Sequence, residues 1–210
     1  MERIVCGFCG RRREESYMAF KGFGICKGCA AELPYSDGDG IFEANPPLDY
    51  VAAPFYYRDI IKKTLHEYKF YDKYAYADVF AGFIAEYLEK QPQLLKFDFA
   101  CPVPLSKMRM LERGYNQSEL IARKVCERTG TRYADLLVRT RETKRQSGLS
   151  AVERAENIRD VFECVGYAGG MRILLFDDIY THGFTAGAAA EALIKGGAKS
   201  VFAVAAAIVK

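Results

Sequence analysis

Two Cys-x-x-Cys pairs, Cys6/Cys9 and Cys26/Cys29, and an acidic pair, Asp177-Asp178, running into Ile-Tyr-Thr-His-Gly-Phe-Thr are the groups of this 210-residue chain best suited to chemistry. Sixteen residues separate Cys9 from Cys26, a spacing that suits a structural zinc site of four thiolates. Gly7, Gly10 and Gly28 relieve the backbone crowding that such turns create. Four thiolates leave zinc no open position, so its role would be structural. A redox Cys-x-x-Cys would need one pair only, and an iron–sulfur cluster is the other alternative. Cys101, Cys126 and Cys164 have no such spacing and read as small core residues.

The acidic pair follows the apolar run Met171 to Phe176 and precedes a Gly-containing turn into a helix. A strand, a short loop and a helix N-terminus bring backbone N–H groups together at the positive end of the helix, where a phosphate fits. Thr181 and Thr185 add hydroxyl donors, and Gly183 lets the backbone approach the anion closely. Adjacent carboxylates beside an anion cradle suit a sugar phosphate, because they accept hydrogen bonds from vicinal hydroxyls. The plain alternative is a capped strand-to-helix turn. Positive charge gathers in two stretches, Lys107-Met-Arg109-Met-Leu-Glu-Arg113 and Arg139-Thr-Arg141-Glu-Thr-Lys144-Arg145. After strands of a parallel sheet, both would reach its carboxyl edge and could face the phosphate, contact a nucleic-acid backbone, or be ordinary solvated surface.

The elements that must position these groups are partly visible. Helical spacing covers Asp59 to Phe70 and the face Val79, Phe80, Phe83, Ile84, Tyr87, Leu88, with Pro92 as the stop. A strand is expected from Phe97 into Pro102-Val-Pro, a helix from Asn116 to Gly130 with Glu119 in capping-box position, and a strand over Ala134 to Val138. Ser150 and Glu153 form a second capping box. Ala186, Ala189, Ala190, Leu193 and Ile194 give one helical face, closed by Gly196-Gly197, and Val201 to Val209 reads as a buried strand. Strand, loop, helix and strand make a βαβ unit, so the main domain is α/β with a parallel sheet. Residues 34 to 54, rich in Gly, Asp and Pro, read as a connector. The tyrosines between Tyr56 and Tyr76, interleaved with Lys62, Lys63, Lys69 and Lys73, would suit a nucleic-acid surface, but read rather as half-buried rings of a helical hood with its lysines in water.

Lys and Arg exceed Asp and Glu by only 30 to 27, so any polyanion site must come from local clustering. No stretch approaches the length of a membrane span and the start carries no apolar signal core, which sets the expectation of a cytoplasmic protein without membrane insertion.

Leu174-Leu-Phe-Asp-Asp-Ile-Tyr-Thr-His-Gly-Phe-Thr185 resembles the phosphoribosyl-pyrophosphate motif of type I phosphoribosyltransferases. With the Cys pairs, Pro102-Val-Pro-Leu-Ser-Lys107, Arg113-Gly-Tyr-Asn-Gln-Ser-Glu-Leu-Ile-Ala122, Arg139-Thr-Arg-Glu-Thr143, Gln146, Leu149-Ser150 and Glu153-Arg154…Asn157, the chain resembles the ComF family of competence-associated proteins. Where that family usually has Tyr-Thr-Thr-Gly-Ala-Thr, this chain has His182 and Phe184. The resemblance implies a type I phosphoribosyltransferase-like α/β parallel-sheet core with a small amino-terminal zinc-binding module of four cysteines. Its parts would be 1–45 (zinc module and linker), 46–95 (helical hood) and 96–210 (core). It further implies that Asp177 and Asp178 hold the ribose hydroxyls while Tyr180, Thr181, His182, Gly183, Phe184 and Thr185 hold the 5-phosphate. Phosphoribosyl pyrophosphate or a nucleotide would be the ligand, with Mg²⁺ accompanying phosphoribosyl pyrophosphate if the chain is an active transferase. Asp177, Asp178, Lys107 and Arg145 would then be catalytic, and Arg139, Arg141, Lys144 and Arg145 would meet single-stranded DNA. A competence helicase is the implied protein partner.

Overall fold

The computed structural model describes residues 3–19, 24–143 and 150–210. The amino-terminal part pairs β1 (Arg3–Val5) antiparallel with β2 (Arg12–Glu14) and adds the one-turn helix α1 (Lys27–Ala31). Next come β3 (Ile41–Glu43), β4 (Tyr50–Ala52) and β5 (Phe55–Tyr56), then α2 (Asp59–Phe70) and α3 (Tyr76–Glu89). The core continues with β6 (Phe99–Pro102), α4 (Lys107–Arg113), α5 (Gln117–Thr129) and β7 (Leu137–Arg139). It closes with α6 (Ala151–Ile158), β8 (Phe162–Cys164), β9 (Arg172–Tyr180), α7 (Phe184–Lys195) and β10 (Ser200–Ile208).

The main sheet runs β3-β4-β10-β9-β6, with β5 also on β10. All its pairings are parallel except β3 with β4. The nearly unbroken apolar character of β9 and β10 follows from burial on both faces. On one face lie α2, α3 and α5, carrying Leu65, Tyr68, Phe80, Ile84 and Ile121; on the other lies α7 with Ala186, Ala189, Ala190 and Leu193. Ile194, expected on that buried face, is 37% exposed, because the alanine-rich contact strip is narrow and the helix turns Ile194 past its rim.

Three expectations change. Residues 34 to 54 are not merely a connector: β3 and β4 join the main sheet, and the β4–β5 line breaks at Pro54, which has no N–H for the ladder. Strand β7 begins three residues later than expected and pairs with β8 in a separate two-stranded sheet, so the loop after it does not follow a strand of the main sheet. The basic stretch Lys107 to Arg113 is the helix α4, which buries no residue and so has no apolar stripe to read. Among the described residues no helix is long and apolar enough to cross a membrane.

Candidate phosphoribosyl site and cysteine cluster

Strand β9 runs through Tyr180, so the acidic pair, expected just after the strand, lies inside it and the turn into α7 is Thr181, His182 and Gly183. Up to Phe176 the side chains alternate regularly, Ile173 and Leu175 to the α7 face, Leu174 and Phe176 to the helical-hood face. Beyond the pair the alternation is out of step, Ile179 packing on the hood face and Tyr180 on the α7 face. Strand β10 slips with it, since Ala206 and Ala207 both pack on the hood face. Adjacent strand residues ordinarily point apart. Here Asp177 and Asp178 both reach helices of the hood face. Ser118 Oγ of α5 donates to Asp177 Oδ1 at 3.3 Å, and Lys69 Nζ of α2 lies 2.9 Å from Asp178 Oδ1.

Burial, and then the neighbouring Asp178 charge, push the Asp177 carboxyl up to about 7, against the opposing pull of Lys69, the Asp178 N–H at 2.8 Å and Ser118. Two adjacent carboxylates, Asp178 buried and Asp177 half-buried, thus ask for hydrogen-bond donors. Beside them Gly183 caps α7 in the left-handed region, φ 77°. A Cβ there would run into the Tyr180 hydroxyl, and Tyr180 itself is buried beneath the turn. At the amino end of α7, Thr181 and His182 are exposed and Phe184 and Thr185 half-buried. His182 and Phe184, rings 6.2 Å apart, line a groove of about 350 Å³ with Asn45, Pro46, Arg159 and Glu191.

The turn after β6 is locked to this edge. Val103 N–H donates to the Phe176 carbonyl at 2.9 Å, and Asn116 Nδ2 donates to the Val103 carbonyl at 3.0 Å. Asn116 caps α5, its Oδ1 accepting from the Ser118 and Glu119 amides at 3.1 and 3.4 Å. Glu119 does not complete the box expected of it; it pairs with Arg123 at 2.9 Å one turn on. The Ser150/Glu153 box forms as expected, at 2.7 and 3.3 Å. Arg113 donates to Gln117 Oε1 at 2.9 Å and lies over the Phe70 ring.

Lys107 is exposed at the first turn of α4. Glu142 joins the two basic segments, accepting from the Met108 amide at 3.1 Å, with its carboxyl held low by Ser106, the amino end of α4 and Arg139. Arg139 spends its guanidinium on Thr143 and the Arg141 carbonyl and lies over Phe162; burial draws it down to about 10. Arg141 donates to the Arg159 carbonyl at 2.7 Å. Lys144, Arg145, Gln146 and Leu149 fall outside the described residues. Lys69, Ser118 and Glu142 are the site neighbours that sequence reasoning missed. Lys69 carried no signal beyond its place among tyrosines, and Ser118 was visible only as part of a family-like segment.

The four cysteines converge, their sulfurs all within 4.8 Å of one another. Cys6 to Cys29 and Cys9 to Cys26 measure 3.8 and 3.9 Å. Zn–S bonds of about 2.3 Å in a tetrahedron place sulfurs about 3.8 Å apart, so the donor set fits zinc. Burial raises the Cys6 thiol, but the Cys9, Cys26 and Phe8 backbone groups outweigh it and hold the thiol near 7. Cys101 and Cys126 are buried core residues, whereas Cys164 is only half-buried.

No family model matches the chain. It is 34% identical over 204 residues to Competence protein ComFC of Bacillus subtilis (strain 168), covering 94% of this chain and 75% of that protein. To Competence protein F of Haemophilus influenzae it is 26% identical over 195 residues, 86% and 83% of the two chains. To Competence protein ComFC of Streptococcus pneumoniae it is 35% identical over 149 residues, 71% of this chain and 64% of that protein, so it spans just under two thirds of that relative. Among solved structures, glutamine phosphoribosylpyrophosphate amidotransferase from B. subtilis aligns with a TM-score of 0.37 and 23% identity, over 54% of this chain and 24% of that one. Phosphoribosylpyrophosphate synthetase from Mycobacterium smegmatis aligns with a TM-score of 0.38 and 18% identity, over 60% and 33%. With a third of its residues identical to the B. subtilis relative over nearly the whole chain, and with four cysteines converging at the amino end of a mostly parallel α/β core, the protein belongs to the ComF family.

Proposed function

We propose that this chain is a ComF-type protein of DNA uptake whose cleft at the carboxyl end of β9 binds a phosphorylated ribose, as phosphoribosyl pyrophosphate or a nucleotide. The observation that carries the reading is the paired turn of Asp177 and Asp178 toward one face, directly before a three-residue loop into the amino end of α7. Vicinal hydroxyls would donate to the carboxylates, and the phosphate would sit on the amides and hydroxyls of Thr181 to Thr185. The names of the relatives support the competence role. Cys6, Cys9, Cys26 and Cys29 would hold a structural zinc that closes the amino-terminal module, the surface we assign to a helicase-like partner. Arg139, Arg141, Lys144 and Arg145 would supply positive charge for single-stranded DNA, in a cytoplasmic protein.

Turnover, which the family resemblance also implies, is the second reading: burial and the Asp178 charge raise the Asp177 carboxyl toward neutral pH, where an acid or base for an acceptor would work. Lys107 and Arg145 would then meet the departing pyrophosphate, with Mg²⁺ carried in on its oxygens. Calorimetric titration with phosphoribosyl pyrophosphate, beside the same titration of Asp178→Asn, tests the binding reading: saturable binding lost in the variant supports it, and equal heats in both would end it. Pyrophosphate release with Mg²⁺ and a panel of bases decides turnover.

A further inference from the structure

The ammonium of Lys69 is the unexpected neighbour of the acidic pair. It comes from the last turn of α2, and at 2.9 Å from Asp178 Oδ1 the two side chains are only 18% and 11% exposed. A pair this far from water is held by its partner, and removing either charge strands the other. Asp177, beside it, is served by neutral donors, the Ser118 hydroxyl and the Asp178 amide. The helix that carries Lys69 is itself fastened: Tyr68 Oη donates to the Gln117 carbonyl at 3.1 Å, the Tyr115 hydroxyl donates to the Tyr68 carbonyl, and Tyr76 Oη donates to Glu67 at 2.7 Å. Lys69 therefore reaches Asp178 from a fixed backbone.

We propose that Lys69 is the resident counter-ion of the acidic pair, seated on a carboxylate for which a divalent cation would have to compete, so that the site takes a ribose phosphate without a metal ion held by its own carboxylates. This rests on the ribose-phosphate reading above. Mg²⁺ binds carboxylate oxygen at about 2.0–2.1 Å in a demanding octahedron. The ammonium already neutralises this carboxylate and repels a second cation beside it, so a divalent ion binds there only by displacing Lys69. Sugar hydroxyls face no such conflict, because an ionised carboxylate has about four acceptor positions and the ammonium takes one. Lys69 is thus a positioning residue, holding the Asp178 carboxylate in place to accept from a hydroxyl.

The test titrates ribose 5-phosphate, which has no pyrophosphate to bring a metal, into full-length wild type, Lys69→Met and Lys69→Arg, each in EDTA and in Mg²⁺. Wild type and Lys69→Arg should bind equally in both buffers, within about twofold. Lys69→Met should lose about tenfold in EDTA, the worth of one charge-assisted contact, and recover in Mg²⁺. A wild type that needs Mg²⁺, or a Lys69→Met that binds normally in EDTA, overturns the proposal. A second arm needs no sugar: Mn²⁺ followed by its electron paramagnetic resonance should bind Lys69→Met and not wild type, and equal behaviour of the two also overturns it. Lys69→Gln repeats both arms if methionine disturbs α2. If wild type binds no ribose 5-phosphate in either buffer, the ribose-phosphate reading falls, while the Mn²⁺ arm still decides the role of Lys69.

Discussion

Replacing Asp177 by asparagine should stabilise the fold while weakening ligand binding. Asparagine keeps an Oδ1 to accept from Ser118 Oγ and the Asp178 amide, the two contacts that Asp177 makes, but it cannot ionise. In the folded protein the Asp177 carboxyl is pushed from 3.8 to about 7, first by burial and then by Asp178. A folded value above the unfolded one means that the folded state binds the extra proton, so the cost of ionisation is absent below about pH 4, grows between about pH 4 and 7, and is complete above. At about 1.36 kcal/mol per pH unit the full cost is about 4 kcal/mol, an upper bound, and about 2 kcal/mol of it is already present at about pH 5.5. Urea unfolding of metal-replete wild type and Asp177→Asn at about pH 8 and about pH 5.5 measures both. The variant should be more stable at the higher pH by up to about 4 kcal/mol and at the lower by about half as much. A variant less stable than wild type at the higher pH, or a gain equal at the two pH values, would refute the argument. Stabilisation joined to lost binding is the mark of a residue kept for a site at the fold's expense.

Further outcomes follow from the same geometry. Gly183→Ala places a Cβ against the Tyr180 hydroxyl at a positive φ, so it should cost about 1–3 kcal/mol in denaturant and weaken ribose 5-phosphate binding; wild-type behaviour in both would remove the tight turn from the account. Phe8→Ala withdraws a buried ring that meets Tyr76, Phe80 and Phe83 at 6.0, 5.8 and 6.3 Å, and should cost about 3–5 kcal/mol, read by urea unfolding. A loss under about 1 kcal/mol would mean that the cysteine module is not packed on α3 as described. Metal analysis of reduced protein should find one zinc per chain, and a content well below one would contradict the four-thiolate assignment.

The legible parts of the chain are those where one local pattern and the tertiary structure agree. The β9–α7–β10 unit could be read because its strands are buried on both faces and its helix carries a regular strip of alanines. The convergence of the cysteines followed from spacing alone. Strands β1 to β5 are two or three residues long, too short to show an alternation, and α4 buries nothing. The slip of β9 at the acidic pair is equally silent in sequence, because Asp177-Asp178 reads the same whether its side chains part or converge. Lys69 needed the packed position of α2, and its role in the site is a property of the fold rather than of any local motif.

The most direct measurement is an experimental structure of the full-length, zinc-loaded protein with ribose 5-phosphate. The account predicts the ribose hydroxyls on Asp177 and Asp178 and the phosphate on the turn from Thr181 to Thr185, at the amino end of α7. A phosphate bound elsewhere, or hydroxyls that leave both carboxylates untouched, would contradict it.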